Sequence, residues 1–159
     1  MTPPDERIRN IAVGIVVRDG RALVEIYPAN EVHDTFARAI GGGIEFGEPA
    51  GSAVRREFEE ELGVTLTTAE PLAVLESIFT IGGRPGHEIV HVFAVESPQL
   101  DDLALDGELA VLDSHTTVRW IDLDAFRRGD LPFYPVGMAG FAEARDAASR
   151  RSSGWQPSV

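Results

Sequence analysis

The chain has 159 residues, of which 43% are hydrophobic, no cysteine, and a formal net charge of −12. That length suits one compact domain with an ordinary core, and the missing cysteines exclude disulfides and thiolate chemistry. So acidic a balance argues against a surface for duplex nucleic acid, which basic patches hold, and admits a small anionic substrate where a bound cation offsets the repulsion.

All 14 basic residues are arginines, so any phosphate would be gripped by planar, bidentate side chains. No apolar run is long enough to span a bilayer, and the opening MTPPDERIRN lacks the basic-then-apolar pattern of a secretion signal. No membrane contact and a cytoplasmic location are therefore expected.

Residues 8–18 are β-branched and apolar, Asp19-Gly20 is a hairpin signal, and residues 21–27 continue as a second strand. Residues 28–34 read as loop, and residues 36–40 as a short strand that runs into Gly41, Gly42 and Gly43. A helix follows, with Pro49 where a helix likes to begin and Gly63 where one ends. Between them Ala50, Val54, Phe58 and Leu62 recur every fourth residue as one apolar stripe. Residues 72–81 and 87–95 read as strands around the turn Gly82-Gly83-Arg84-Pro85-Gly86. Residues 99–114 are acidic and weakly periodic, 117–121 form a strand, and the last helix is predicted over 137–148. No repeat or linker divides the chain, so one domain is expected over residues 1–149, with a polar tail at 150–159. Trp155 in that tail, together with an exposed sheet edge, makes a homodimer an expectation. Periodicity alone gives a mixed α and β domain.

Residues 42–64 gather six acids, Glu45, Glu48, Glu57, Glu59, Glu60 and Glu61. At about 100° per residue, Glu57, Glu60 and Glu61 share a face beside the apolar stripe, while Glu59 points away. The ordinary reading is a solvated helix face, with Arg55 reaching Glu59 and Arg56 reaching Glu60. That pairing is incomplete. Glu57 and Glu61 are four apart and alike in sign, which costs roughly 0.2–0.5 kcal/mol, and both arginines precede their acids, the weaker order. A trio of carboxylates beside glycines suits a hard divalent ion, which takes oxygen ligands and retains water.

Gly42, Glu48, Arg56, Glu57, Phe58, Glu60, Glu61, Gly63 and Val64 stand at the spacing of the Nudix hydrolase signature, which this segment resembles. The departure is Phe58, where that family usually has Ile, Leu or Val. The resemblance implies an α/β/α sandwich with a mixed β-sheet and hydrolysis of a diphosphate linkage in a nucleoside diphosphate joined to another group X. It also implies Mg²⁺ or Mn²⁺ held by Glu57, Glu60 and Glu61, with the Gly41 carbonyl as a further ligand. By the same resemblance Glu57 is the first candidate for general base, and Arg56 with Glu48 forms a pair that orients it. Nudix enzymes often recruit an acid from outside the signature, and Glu76, Glu88, Asp106 and Glu108 are the candidates here. Ala39-Ile40 stands where many members carry Leu-Pro, so the substrate of better-known members does not transfer.

Arg38, just before the triple glycine, is a candidate to bind a substrate phosphate; a salt bridge to Glu76 is the competing expectation. Phe36, Phe46 and Phe79 are candidates to stack a nucleobase or to fill the core. His33 and His115 fall in loops and are expected at the surface.

Other classes fit less well. His87-Glu88-Ile89-Val90-His91 matches the HExxH pattern of zinc proteases, which needs a helix to bring both histidines to one ion. Ile89, Val90, Val92 and Phe93 instead mark a strand, in which residues four apart stand ~13 Å from each other. A Nudix-fold isomerase of prenyl diphosphates relies on a cysteine that is missing here. A regulatory module of Nudix fold would bind nucleotide without cleaving it, usually beside a DNA-binding domain.

Overall fold

The computed structural model describes residues 6–154. The expectation for Trp155 lies outside the described residues.

The chain opens with β1 (Ile8–Ile15) and β2 (Val17–Arg18), turns at Asp19-Gly20, and returns as β3 (Arg21–Tyr27). Both turn residues have positive φ, 50° and 75°, the backbone a tight hairpin of right-handed twist demands. Then come β4 (Phe36–Arg38), β5 (Ile40–Gly43) and α1 (Ala50–Leu62). Two long strands follow, β6 (Thr68–Ile81) and β7 (Arg84–Glu96). The remainder is α2 (Pro98–Asp101), β8 (Glu108–Ala110), β9 (Thr117–Asp122), α3 (Leu123–Arg127), β10 (Phe133–Tyr134) and α4 (Met138–Ser153).

These strands form two sheets. One has the order β5-β1-β7-β6, with β1 parallel to β7 and its other pairs antiparallel. The other runs β10-β4-β3-β9-β8, with β2 paired to β3. The single strand predicted over residues 8–18 is interrupted at Val16, where the chain passes from the first sheet to the second; only Val17 and Arg18 pair with β3. The strand predicted over residues 36–40 is likewise divided at Ala39, with β4 in the second sheet and β5 in the first. Ile15 with Val16, and Ala39 with Ile40, are consecutive buried residues. They break the alternation a strand with one wet face would show.

Two core clusters lie on opposite sides of the strands. Ala12, Leu23, Phe93 and Val95 pack with Ala53, Val54 and Phe58 of α1. Their strand neighbours Ile11, Val13, Val24, Val90 and Val92 pack with Leu123 and Phe126 of α3 and Met138 and Ala142 of α4. Period-two alternation thus feeds two helical layers, giving the α/β/α sandwich. Residues 99–114, expected to be irregular, contain the short α2 and β8, and α4 runs beyond the predicted end to Ser153. The strand β6 is a sheet edge with Leu72, Val74 and Ile78 exposed. No helix among the described residues is long and apolar enough to cross a membrane.

Candidate active site

The helix α1 carries the carboxylates. Pro49 precedes it with extended backbone, and Gly63 ends it at φ 66°, donating to the Glu59 carbonyl while Val64 donates to that of Phe58. This double closure is the left-handed stop that glycine makes easily. The loop before α1 is fastened by Arg56. Its Nε donates to Glu48 Oε1 at 2.8 Å and its Nη2 to Glu48 Oε2 at 2.9 Å and to the Gly43 carbonyl at 2.8 Å. Its Nη1 reaches Glu57 Oε1 at 3.0 Å and Glu60 Oε2 at 3.1 Å. One guanidinium therefore joins the end of β5, the loop and the helix. Glu48 also accepts the backbone N–H of Glu45 at 3.0 Å. The Arg56 hydrogen bonds, then that backbone donor, hold the Glu48 carboxyl down at about 2.

Glu57 and Glu61 face a pocket of about 300 Å³ that is also lined by Glu25, Tyr27, Arg38, Gly41 and Gly42. Glycine is needed at its wall. A Cβ on Gly42 would stand 2.6 Å from the Glu57 carboxylate, and one on Gly41, where φ is 151°, would stand 2.0 Å from the Ala12 carbonyl oxygen. Burial raises the Glu57 carboxyl despite the opposing Arg56. The Glu61 carboxyl is pushed up to about 8 by burial, with Glu25 and then Glu57 adding like-charge repulsion. Glu61 Oε2 is buried and has no hydrogen-bond partner among the described residues. Glu60 is 53% exposed and leans on Arg56 rather than into the pocket. Among the described residues no three acidic or histidine side chains converge as a finished metal cage. The donor chemistry still fits a hard cation: two inward carboxylates, one buried oxygen lacking a partner, and a third carboxylate one helical turn away.

Glu25 escaped the sequence reading. It sits on β3 two residues from Leu23, so alternation puts it on the α1 side of the sheet, where it is buried and accepts from the Thr116 hydroxyl. The signal was present: one carboxylate inside the apolar run Arg21–Tyr27. A buried charge of that kind needs a partner. Beside it, burial and then Glu25 push the Tyr27 hydroxyl up to about 12.

Arg38 lies opposite Glu25 in the β3–β4 register but points its guanidinium at Glu88, with Nη2 at 3.3 and 3.2 Å from the two carboxylate oxygens. The partner is thus Glu88; Glu76 instead holds His87 Nε2 at 2.6 Å. Glu88 is only 2% exposed and also receives Arg9 at 3.5 Å. Past Arg38 a second cavity of about 620 Å³ opens, sharing Arg9, Tyr27 and Arg38 with the first. Phe36 and Phe79 line it. Phe36 stacks on Tyr27 at 4.9 Å between ring centroids.

A family model of the NUDIX domain matches residues 8–139. The chain belongs to the Nudix family. Among solved structures it is similar to the MutT NUDIX hydrolase from Burkholderia pseudomallei, with 30% identity, 75% of this chain and 86% of that one covered, and a TM-score of 0.50. It is also similar to the E. coli ORF135 protein (22% identity, 94% and 96% covered, TM-score 0.56). The mutator MutT protein from Bacillus halodurans gives 20% identity, 86% and 80% covered, and a TM-score of 0.57. The last two likenesses bear on fold alone. No curated protein matches. With its family and neighbours, this Nudix protein is an enzyme, a pyrophosphohydrolase.

The remaining sequence candidates lie outside the carboxylate pocket of this Nudix hydrolase. Glu76, Asp106 and Glu108 are exposed and line neither cavity. Glu88 borders only the second cavity, with its charge engaged by two arginines. Phe46 is fully exposed and lines neither cavity. His33, expected at the surface, is on the wall of the second cavity, whereas His115 is exposed. His87 and His91 both lie in the strand β7, which removes the helical geometry that a zinc-protease HExxH site requires.

Proposed function

We propose that this Nudix hydrolase is divalent-metal-dependent and cleaves the diphosphate linkage of a nucleoside diphosphate joined to another group X. The observation that carries the reading is the pair Glu57 and Glu61 turned into one glycine-walled pocket, with Glu61 Oε2 buried and unpartnered among the described residues. Nudix hydrolases generally use divalent metals such as Mg²⁺ or Mn²⁺. Glu57 and Glu61 would hold such an ion, with Glu60 swinging from Arg56 and the Gly41 carbonyl as further donors. When bound, the ion supplies positive charge against the diphosphate oxygens and acidity to a coordinated water.

The chain's own residues do the rest. Glu57 is the first candidate to take the proton from the attacking water, and Arg56 fixes its carboxylate from behind while Glu48 fixes Arg56. Arg38 and Arg9 stand where the two cavities meet and would hold phosphate oxygens that the carboxylates alone would repel. The second cavity, with Tyr27, Phe36 and Phe79 in its wall, would take the non-reacting moiety.

The test is a panel of nucleoside triphosphates, ADP-ribose, sugar nucleotides and dinucleoside polyphosphates with Mg²⁺ or Mn²⁺, and products separated by chromatography. Release of a nucleoside monophosphate or diphosphate only in the presence of metal is the expected result. Metal-independent turnover, or none on any diphosphate, overturns the reading.

A further inference from the structure

The second cavity reverses the charge of the chain around it. Of 26 acidic and 14 basic residues overall, it draws four arginines, Arg7, Arg9, Arg38 and Arg84, against the single acid Glu88. Glu88 is 2% exposed and already binds Arg38 at 3.2 Å and Arg9 at 3.5 Å. One carboxylate balances one guanidinium, not two. Arg7 and Arg84 stand exposed on the wall, and neither forms an ion pair among the described residues. Arg9 and Arg38 share Glu88 and, where the two cavities meet, serve the diphosphate, which leaves the charges of Arg7 and Arg84 uncompensated on this wall unless a further anion enters. A nucleobase or an unmodified sugar is neutral at pH 7 and offers those forks acceptor atoms but no charge to balance them. A phosphate monoester carries about −1.5 to −2 charges and three acceptor oxygens, which the arginine fork fits.

We infer that the second cavity reads a phosphate monoester on the non-reacting moiety of the substrate. The enzyme is then selective for diphosphate compounds that carry an additional phosphate remote from the scissile linkage. This rests on the hydrolase reading of the adjoining pocket for where the diphosphate lies. Arg9 and Arg38, where the two cavities meet, serve the diphosphate, while Arg7 and Arg84 make the selective contacts.

Two measurements test it. In the first, kcat/KM is compared for matched compounds, ADP-ribose against its 2′-phosphorylated form, and a nucleoside 5′-triphosphate against the same compound with a 3′-phosphate. For at least one pair the phosphorylated member is preferred by roughly ten- to a hundredfold, and that ratio collapses toward one in Arg7→Ala/Arg84→Ala. Both positions are exposed, so the double variant folds. In the second, inorganic phosphate is titrated into the protein without metal while the arginine side-chain N–H resonances are followed. Saturable shifts at Arg7 and Arg84 are expected in the wild type, and in the double variant phosphate binding followed at the remaining cavity arginines Arg9 and Arg38 is weakened at least about tenfold.

Hydrolysis with equal rates for both members of each pair sinks the inference and leaves the hydrolase reading standing. Saturable phosphate binding at these arginines with no hydrolysis of any diphosphate does the reverse. Phosphate that does not saturate there, with no hydrolysis, overturns both.

Discussion

Arg56 and Glu48 are joined by two hydrogen bonds of 2.8 and 2.9 Å, and the same guanidinium reaches Glu57 at 3.0 Å. A planar fork is what allows one side chain to serve Glu48, Gly43, Glu57 and Glu60 together. The pair tethers the end of β5 and the loop to α1 beside Glu57, and under the proposed function its part is to position that carboxylate and not to react.

Arg56→Lys keeps the charge and loses the fork. We expect turnover to fall about 10- to 100-fold, the usual range for a residue that orients a ligand, with KM changing much less. Circular dichroism and melting confirm the fold. A variant with wild-type kcat would show that Glu57 needs no such support.

Glu61→Gln preserves shape and removes the carboxylate whose Oε2 is buried and unpartnered among the described residues. If that group helps to hold the divalent ion, loss of several kcal/mol of charge stabilisation lowers kcat by about 10²-fold or more. Calorimetric titration with Mg²⁺ and Mn²⁺ should show weakened uptake in the same variant. Normal uptake by Glu61→Gln would remove Glu61 from the set of residues that hold the metal.

The same carboxyl predicts how stability of the metal-free protein depends on pH. Its folded value of about 8 lies above its ordinary value of 4.5, so the folded state binds this proton more tightly than the unfolded chain. The stabilisation is fully present below pH 4.5 and is lost as pH rises toward 8. Melting of the metal-free enzyme should therefore drop between about pH 5 and pH 8. Glu61→Gln should flatten that slope, and added Mg²⁺ should raise the midpoint most at the alkaline end. A slope that survives the substitution would assign the pH dependence to another group.

Arg38 and Glu88 are 50 residues apart, and Glu88 is 2% exposed, so removal of the guanidinium leaves a buried carboxylate with only Arg9 at 3.5 Å. Arg38→Met is expected to destabilise the fold by about 1–3 kcal/mol, less than for a buried charge with no partner left. Glu88→Gln in the same chain should recover part of that loss. A double-mutant cycle from denaturant melts measures the coupling, and additive effects would mean that the pair contributes nothing.

What could be read from the chain follows how local its physics is. The helix α1 and its glycine stop, the Asp19-Gly20 turn and the strand nature of His87 to His91 are local preferences, and all three are found. The passages between sheets at Val16 and Ala39 were not legible, because propensity says that a segment is extended and not which neighbour it pairs with. In the site, helical periodicity grouped Glu57 with Glu61 and offered Arg56 as the partner of Glu60, a pairing the structure contains, but it could not decide between that pairing and a place for Glu60 in the pocket. Glu25 enters from β3 and Arg38 meets Glu88 across two sheets; both depend on tertiary register. Only the oddity of a glutamate within Ala22-Leu23-Val24-Glu25-Ile26 hinted at the first.

The unusual aromatic in the signature has a counterpart that sequence spacing does not reveal. Phe58 is fully buried, and a Cβ added to Gly14 would stand 2.7 and 2.8 Å from its ring carbons and 2.9 Å from Val95 Cγ2. The larger ring is therefore accommodated by the smallest residue on β1, in the cluster that seats α1 against the sheet. Gly14→Ala overpacks that contact and should cost about 1–3 kcal/mol. In a chain of this length each ~1 kcal/mol lowers the melting midpoint by about 2–4 °C. Phe58→Leu in the same chain withdraws the ring and makes room for the new methyl, so the double variant should be more stable than the two separate losses added together. Strict additivity would show that Gly14 and Phe58 do not constrain each other, and the seating of α1 would then need another cause.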